Sequence, residues 1–351
     1  MEEKGSCKVS VIIPYVDEKI YIDDCLDSLE DQTCRDFEAV VVCDHSGREA
    51  LERLKGKKVS YPLTILEIGS SRTGVAAARN DGLRQSRGEY ILFLDCDDYL
   101  EKTALAELLQ CAAGDAALIR CGVRETWYGR AVYYDNGEEL DARNNESASV
   151  QREDREWSVL GWMIRRDYLA ELGCTFDESY RYYTDLPFVA ELLAGQGKSV
   201  AMEKILYLKR RRNDPVQLPS LSQIPDETGR IREMLQAYRR MKELLRDEEE
   251  KQLDYGFICY FARHIAPWFV TAEGTEAEEV YGEFSVCCRL LSKETVERAS
   301  SHNRKLIRYA SRHGAAQIAG RLRRAKMWRT LGRVIRSRAA AKKYLYRKVF
   351  S

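Results

Sequence analysis

A chain of 351 residues is long enough for two domains, each with its own hydrophobic core. Hydrophobic residues make up 44% and charged residues 32%, which is typical of a globular protein in water, and no apolar run approaches the roughly 20 residues of a membrane-spanning helix. The first ten residues, MEEKGSCKVS, lack the apolar core of a signal peptide, so we expect a cytoplasmic protein.

The formal net charge of +0 conceals an uneven distribution of charge along the chain. Residues 321–351 contain 12 Lys or Arg and no acid, whereas residues 1–320 carry the other 44 basic and all 56 acidic residues. From Ile318 to Ile335, apolar residues recur every three or four positions among arginines, which is typical of a basic amphipathic helix. Two interpretations stay open: peripheral contact of 321–351 with an anionic membrane, or a terminal helix packed on the body with a solvated basic face. We expect no nucleic-acid partner, because no DNA- or RNA-binding motif accompanies the charge.

The eleven cysteines are odd in number and form no C-x-x-C pair. Several of them, such as Cys25, Cys43 and Cys96, stand inside apolar patterns, where cysteine behaves as a small hydrophobic residue. We therefore expect reduced, mostly buried thiols.

The first 100 residues alternate between short apolar runs and amphipathic stretches. The run KVSVII (8–13), ended by Pro14, predicts a buried strand, and the i, i+3, i+4, i+7 spacing of apolar residues in 22–29 predicts a helix. The same patterns predict three more strands and a further helix: 37–43, 63–68, 89–95, and a helix that starts after Gly74. Strands that alternate with helices predict a parallel sheet covered on both faces.

In such sheets ligands bind beyond the carboxyl ends of the strands, where Asp44 and Asp95 are expected. Asp95, Asp97 and Asp98 follow the apolar strand YILFL, and three adjacent carboxylates repel one another unless a cation neutralises them. Mg²⁺ and Mn²⁺ take carboxylate and phosphate oxygens, so the cluster predicts a site for a metal and a diphosphate. The alternative is a solvated acidic turn.

After a mixed segment, the rest of the chain has mostly helical patterns. Residues 125–180 give a mixed pattern of short elements, and a helix is predicted in TDLPFVAELLAG (184–195). The proline-containing stretch 212–227 reads as a boundary loop, and an apolar stripe over 231–245 predicts a helix after it. We therefore predict an α/β domain over 1–220 and a smaller all-α domain over 221–351.

Five segments together carry a resemblance to a known family: VSVIIP, FEAVVVCDHS, GVAAARNDGL, GEYILFLDCDDYL and FDESYRYYTDLPFVAELL. In this order and spacing they resemble the family 2 glycosyltransferases, and the resemblance covers about the first 215 residues. It implies a GT-A fold, which is a Rossmann-like, mostly parallel sheet flanked by helices. It also implies an inverting glycosyl transfer from a nucleoside diphosphate sugar, most often a UDP-sugar, with Mn²⁺ or Mg²⁺ as the cofactor.

Carried over by position, the resemblance assigns roles to individual residues. It implies that Asp44 accepts a hydrogen bond from the nucleotide base, that Asp95 and Asp97 hold the ribose, diphosphate and metal, and that Asp185 is the general base. It also implies that a further group contacts the donor: Pro14, Tyr15, Glu18, Arg79, Arg210 and Arg212.

Several of these assignments have a structural alternative. Asp185 also fits a carboxylate in the first turn of a helix, where the helix dipole favours it. Arg79 either stabilises the donor phosphates or braces its loop. Arg210 and Arg212 either close on the diphosphate or belong to a solvated basic loop.

The chain departs from the family pattern at positions that bear on donor choice. The family's P-x-Y-N is Pro14-Tyr15-Val16-Asp17 here, so the aromatic residue that would stack on the base is one place earlier. The family's D-D-x-S is Cys43-Asp44-His45-Ser46 here, so Cys43 replaces the first Asp; Thr184 replaces the Glu of E-D, and Arg72 stands where Asn is common.

Transfer of a sugar to a saccharide or lipid-linked acceptor, in the synthesis of a cell-surface polysaccharide or glycopolymer, is the function that the resemblance implies. One alternative is a catalytically inactive module that binds a nucleotide-sugar or acts as a scaffold. A nucleotidyltransferase is disfavoured, because such enzymes carry a Gly-rich basic loop after the first strand and this chain has none there.

Overall fold

The computed structural model describes residues 7–16, 21–69, 71–112, 114–126, 134–135, 138–139, 157–210 and 225–324. Of the predicted site and surface residues, Glu18, Arg212 and positions 325–351 of the basic tail lie outside this set. The chain divides into two compact units, Met1–Pro225 and Asp226–Ser351. All eleven cysteines are free thiols. Within the described part of the chain, the helices are all too short or too polar to cross a membrane.

The first unit contains every described strand. These are β1 Val9–Tyr15, β2 Phe37–Cys43, β3 Leu63–Glu67, β4 Tyr90–Phe93, β5 Tyr99–Leu100, β6 Leu118–Thr126, β7 Tyr134–Asp135, β8 Glu138–Glu139, β9 Trp162–Arg165 and β10 Ser199–Arg210. Its helices are α1 Ile22–Glu30, α2 Arg48–Gly56, α3 Val75–Gln85, α4 Ala104–Ala112, α5 Arg166–Leu172 and α6 Asp185–Ala194.

Eight of these strands form one sheet in the order β3-β2-β1-β4-β9-β6-β10-β5. Strands β3, β2, β1 and β4 are parallel, as the sequence predicts, and β10 is parallel to β6. Strand β9 is antiparallel to both β4 and β6, and β5 is antiparallel to β10. The fold is therefore the mostly parallel, GT-A-type sheet that the resemblance implies, and β1 and β2 are completely buried.

Strand β1 continues past the point where the sequence predicts its end. Pro14 and Tyr15 still pair with β2, although proline cannot donate a backbone hydrogen bond. The carbonyl of Ile12 accepts the N–H of Leu94 on the β4 side, and Pro14 faces the same side two residues later. The pairing with β4 ends at Ile12, so the missing N–H at position 14 removes no hydrogen bond from that strand pair.

Helix α3 packs closely on the parallel strands. It begins after Gly74, which has a φ of +97° that few other residues adopt, and it buries Ala76, Ala77 and Ala78. A Cβ atom at Gly82 would collide with the side chain of Ile12 on β1. The small residues thus bring the N-terminus of α3 to the carboxyl ends of the strands.

The second unit is helical over its described residues. Its elements are α7 Glu227–Leu244, α8 Asp247–Tyr260, a π-helical turn Phe261–Ile265, α9 Ala266–Thr271, α10 Gly274–Leu290, α11 Lys293–Arg298 and α12 Ser301–Ala310. The predicted stripe over 231–245 is buried, with Ile231 and Leu235 0% exposed. Tyr238 donates its hydroxyl hydrogen bond to the buried Asp254, which also accepts one from Lys242.

Candidate active site

The carboxyl edge of the parallel strands carries the predicted acidic residues. Asp44 follows β2, and Asp95 follows β4 by two residues. Helix α3 begins at the same edge, and α6 brings Asp185 to it from a distant part of the sequence. Parallel strands end at one edge, so side chains that are far apart in sequence meet there.

The carboxylate of Asp44 caps the N-terminus of α3. It accepts hydrogen bonds from the backbone N–H of Gly74 at 2.7 Å and from the hydroxyl of Thr73 at 2.9 and 3.0 Å. Gly74 has no side chain with which to cap the helix, so Asp44 satisfies a terminal N–H from outside it. Next to it, His45 has a φ of +50°, and its Nε2 donates to the carbonyl of Arg72 at 2.8 Å.

Asp95, Asp97 and Asp98 form the acidic cluster, with ligand oxygens within 4.8 Å of one another. Asp98 is 1% exposed and accepts hydrogen bonds from the Tyr207 hydroxyl and the Arg210 backbone N–H, both at 2.7 Å. Burial raises the pKa of Asp98 well above its usual range, and the carboxylates of Asp97 and Asp95 raise it further. Burial also raises the pKa of Asp95, although Arg79 opposes this. Oxygen ligands whose charges repel one another are the donor set that a hard divalent cation would fit.

Arg79 joins this cluster to Asp185. Its guanidinium donates from Nη2 to Asp95 at 3.0 Å and from Nη1 to Asp185, and the side chain is 3% exposed. The ring centroids of Phe93 and Phe176 lie 5.8 and 5.1 Å from it. The two carboxylates come from positions 90 residues apart in the sequence, and one buried cation holds both.

Asp185 is held by donors on both of its oxygens. Arg79 and the Thr184 hydroxyl, at 3.2 Å, donate to Oδ1. The hydroxyl of Ser158 and the N–H of Val159 donate to Oδ2, each at 3.1 Å. Burial acts to raise the pKa of Asp185, but Arg79 and these hydrogen bonds outweigh it and hold the pKa below its usual range. The group is therefore ionised at neutral pH, as a general base must be.

Comparison with known proteins fits this geometry. Residues 10–173 match the sequence model of Glycosyl transferase family 2. That segment contains β1 from its second residue, β2 to β9, the acidic cluster and Arg79. Over this segment the chain is similar to the family 2 glycosyltransferases.

Two curated proteins that are named as glycosyltransferases are similar to parts of this chain. The uncharacterized glycosyltransferase EpsJ of Bacillus subtilis is 28% identical over 230 residues, which is 62% of this chain and 63% of EpsJ. The poly(ribitol-phosphate) beta-N-acetylglucosaminyltransferase TarS of Staphylococcus aureus is 34% identical over 102 residues, which is 28% of this chain and 18% of TarS. The chain thus spans less than two thirds of the length of either relative.

Solved structures share the fold. The structure of TarS residues 1–349 with UDP-GlcNAc has a TM-score of 0.70 at 18% identity, covering 92% of both chains. A mannosyltransferase from Pyrobaculum calidifontis, solved with GDP-Man and Mn²⁺, has a TM-score of 0.51 at 19% identity, covering 90% of this chain and 88% of that one. Both likenesses support the GT-A fold of this chain.

Two further carboxylates of this domain stand near Asp185 in sequence. Glu178 forms a two-point ion pair with Arg72 and accepts a hydrogen bond from Asn80 at 2.9 Å. The hydrogen bonds from Arg72 lower the pKa of Glu178 to about 2. Asp177 accepts from the N–H and hydroxyl of Ser179 at 2.9 and 2.7 Å, which forms a local turn. Of these three carboxylates, it is that of Asp185 that Arg79 holds.

Three residues that the resemblance assigns to donor binding are more buried in the structure than the sequence indicates. Pro14 is buried within β1, and the ring of Tyr15 is 2% exposed and belongs to the hydrophobic core, so neither of its faces is open to a nucleotide base. The guanidinium of Arg210 is 0% exposed and donates to Asp24 and to the carbonyl of Asp97, each at 2.7 Å.

Two residues of the site have no counterpart in the sequence predictions. Tyr207 on β10 donates to Asp98 and accepts the N–H of Asp95 at 3.1 Å. A tyrosine inside the apolar run ILYL was a usable signal, because a buried hydroxyl needs a partner. Ser158 lies in a segment of mixed pattern, and nothing in that pattern indicates its contact with Asp185.

Proposed function

We propose that this chain transfers a sugar from a UDP-sugar to a hydroxyl group of a cell-surface glycopolymer. The observation that carries the proposal is the contact of one buried guanidinium, that of Arg79, with both Asp95 and Asp185. A donor-binding carboxylate and a general base must flank one reacting carbon atom, and Arg79 brings these two carboxylates together. The match of residues 10–173 to the family model and the name of TarS support the reaction class and the type of acceptor.

On the donor side, Asp44 accepts a hydrogen bond from the base, and Asp95 contacts the ribose and diphosphate. The hydrogen bonds from Thr73 and Gly74 fix the orientation of the Asp44 carboxylate before a nucleotide binds. The TarS structure with UDP-GlcNAc, which shares the fold, supports a uridine nucleotide.

Mn²⁺ or Mg²⁺ would be held by Asp95 and Asp97. When bound, the cation offsets the negative charge on the departing diphosphate. Asp98 already accepts hydrogen bonds from Tyr207 and Arg210, so in this proposal it stabilises the loop that carries Asp95 and Asp97. Arg210 fixes the same loop through the Asp97 carbonyl, and in this proposal it positions the acidic cluster.

Asp185 removes the proton from the acceptor hydroxyl. The ionised carboxylate accepts the proton while the acceptor oxygen attacks the anomeric carbon from the face opposite the diphosphate, so the configuration inverts. Arg79, Ser158 and Val159 keep the carboxylate oriented through this step. We further propose a cytoplasmic site of action, with peripheral membrane contact through 321–351.

Donor binding and donor hydrolysis test the proposal together. The protein is heated with UDP-, GDP-, CDP- and dTDP-sugars, with and without Mn²⁺, and a donor at 100 times its dissociation constant should add about 2.7 kcal/mol of stability. We expect a UDP-sugar to stabilise the protein most, only with the cation, and to be hydrolysed slowly. Stabilisation without any hydrolysis or transfer would favour the inactive binding module instead, and no stabilisation by any donor would refute the proposal.

A further inference from the structure

Loop 71–74 and segment 176–184 meet from distant parts of the sequence. Loop 71–74 follows β3 and leads into α3, and segment 176–184 leads into α6, whose first residue is Asp185. The guanidinium of Arg72 joins them, because it forms a two-point ion pair with Glu178 across 106 positions of the sequence. The loop thus borders the proposed base-binding carboxylate, and the segment leads to the proposed general base.

Loop 71–74 is held from the donor side of the site. The carbonyl of Arg72 accepts a hydrogen bond from Nε2 of His45 at 2.8 Å. The hydroxyl of Thr73 donates to the neighbouring Asp44 at 2.9 and 3.0 Å. A ligand that fixes the Asp44 carboxylate therefore restrains the loop from which the Arg72 side chain extends.

The side chain of Arg72 is held between two carboxylates. Its Nε donates to Glu178 at 2.9 Å, and its Nη1 donates to Asp81 on α3 at 2.5 Å. Charge-assisted contacts made through two nitrogens fix the relative geometry of the partners as well as attracting them. The side chains of Arg72 and Glu178 are 30% and 35% exposed, so we expect the pair to contribute little to the stability of the fold.

A separate residue anchors segment 176–184 to the fold. Asn80 is 5% exposed, and its side-chain amide exchanges two hydrogen bonds of 2.9 Å with the backbone of Phe176. It also donates to Glu178 at 2.9 Å. Removing the Arg72 guanidinium therefore leaves the segment attached to α3 and takes away this link to the loop.

We propose that Arg72 is a positioning residue, which transmits nucleotide binding at Asp44 to segment 176–184 and so fixes Asp185 for proton transfer when the donor is bound. The inference deepens the proposed function and rests on it. A bound nucleotide restricts the motion of the loop. Because Arg72 ties the loop to the segment, the segment is then ordered at a lower cost in entropy.

The link requires a cation at position 72. The family 2 pattern commonly has Asn where this chain has Arg72. An asparagine side chain is shorter and uncharged, so it cannot form a two-point ion pair with Glu178. The departure from the family pattern at this position therefore gives this chain a contact between the donor side and the base side of the site.

Hydrogen exchange of the full chain, with and without UDP, tests the inference. Exchange is followed by mass spectrometry on peptides that cover the loop and the segment. On the same preparations, kcat and KM are measured for hydrolysis of the UDP-sugar that stabilises the protein most. The variants are Arg72→Gln, Glu178→Gln and the double variant. Arg84→Gln is the matched control, because Arg84 also pairs with Asp81 but does so within α3.

In the wild type and in Arg84→Gln, UDP should slow exchange in both loop 71–74 and segment 176–184. In Arg72→Gln, UDP should slow exchange in the loop, while the protection of the segment should fall by ~10-fold. The kcat for hydrolysis should fall by ~10-fold with little change in KM, since the donor contacts remain and the base is less well placed. The double variant should behave like Arg72→Gln, because both substitutions break one contact.

The outcomes separate this inference from the proposed function. UDP binding that leaves segment 176–184 unprotected in the wild type, or that protects it equally in Arg72→Gln, overturns the inference alone. The same holds for a wild-type kcat in Arg72→Gln, for additive effects in the double variant, and for an equal loss of protection in Arg84→Gln. A wild type that binds no UDP refutes the proposed function and this inference with it.

Discussion

The general-base assignment leads to the most discriminating prediction, which is the effect of Asp185→Asn. Asparagine keeps the shape of the side chain but cannot accept a proton from the acceptor hydroxyl. The transfer rate should therefore fall by ~10² to 10⁴-fold, which is the usual contribution of a positioned base. Donor affinity should hardly change, because Asp185 has no proposed contact with the diphosphate.

The contacts of Asp185 also predict a cost in stability. Its two oxygens accept from Arg79 and Thr184 on one side and from Ser158 and Val159 on the other. An asparagine can turn its oxygen to only one side, so its NH₂ group then faces donors on the other. A buried donor that loses its acceptor costs about 1–3 kcal/mol. In a unit of this size that corresponds to a fall in Tm of about 2–12 °C.

Three measurements on one preparation separate chemistry from folding. These are the transfer rate at saturating donor and acceptor, the donor affinity by calorimetry, and the Tm. Ser158→Ala serves as the matched control, because it removes one donor to Oδ2 and keeps the carboxylate. It should lower the Tm by a similar or smaller amount and reduce the rate far less than Asp185→Asn.

A loss of rate without a loss of donor binding is typical of an interaction made only in the transition state. If Asp185→Asn retained most of its transfer rate, Asp185 would not be the base. Asp177 would then be the next residue to test, since Glu178 is committed to Arg72. If both variants lost rate in proportion to Tm, the role of Asp185 would be structural.

Two other substitutions and one deletion test the donor site and the tail. Asp97→Asn should weaken UDP-sugar binding and abolish its dependence on Mn²⁺; a titration that showed the wild-type affinity and metal dependence would exclude Asp97 as a ligand. Asp44→Ala should weaken binding of UDP and UDP-sugar alike, and should lower the Tm because Thr73 and Gly74 lose their acceptor. A sugar phosphate without a base should bind Asp44→Ala as well as it binds the wild type; an equal loss for that fragment would argue against base recognition. Removing residues 321–351 should leave donor hydrolysis nearly unchanged and reduce salt-sensitive binding to anionic vesicles; equal vesicle binding by both forms would favour a packed terminal helix.

The sequence predicts the elements that have a regular pattern better than those that do not. The bounds of β2 match the predicted strand, and all four apolar residues of the α1 stripe are buried. These elements are governed by local periodicity and by burial on one or two faces. Strand β9 was not predicted, since its four residues follow a mixed pattern and its partners lie far away in sequence.

In the candidate site, too, some features could be predicted from the sequence and others could not. The acidic cluster is contiguous in sequence, so its grouping was predictable, as was its position at a strand end. The contact of Arg79 with Asp185 joins positions 106 residues apart, and only the packing of α6 against the sheet edge creates it. Tyr15 was assigned by the family position, but the extension of β1 through Pro14 carries its ring into the core.

The contacts of Arg79 give a physical reason for Thr184 at the position where the family pattern has Glu. Asp95 and Asp185 share a single buried guanidinium, so a further carboxylate beside them would add a charge that Arg79 alone would have to balance. Thr184 adds no charge: its hydroxyl accepts from Arg79 at 3.4 Å and donates to Asp185 at 3.2 Å. The hydroxyl thereby extends the hydrogen-bond network around the base without changing its charge. Because Asp97 adds another carboxylate beside Asp95, the remaining excess of negative charge lies where a divalent cation is proposed.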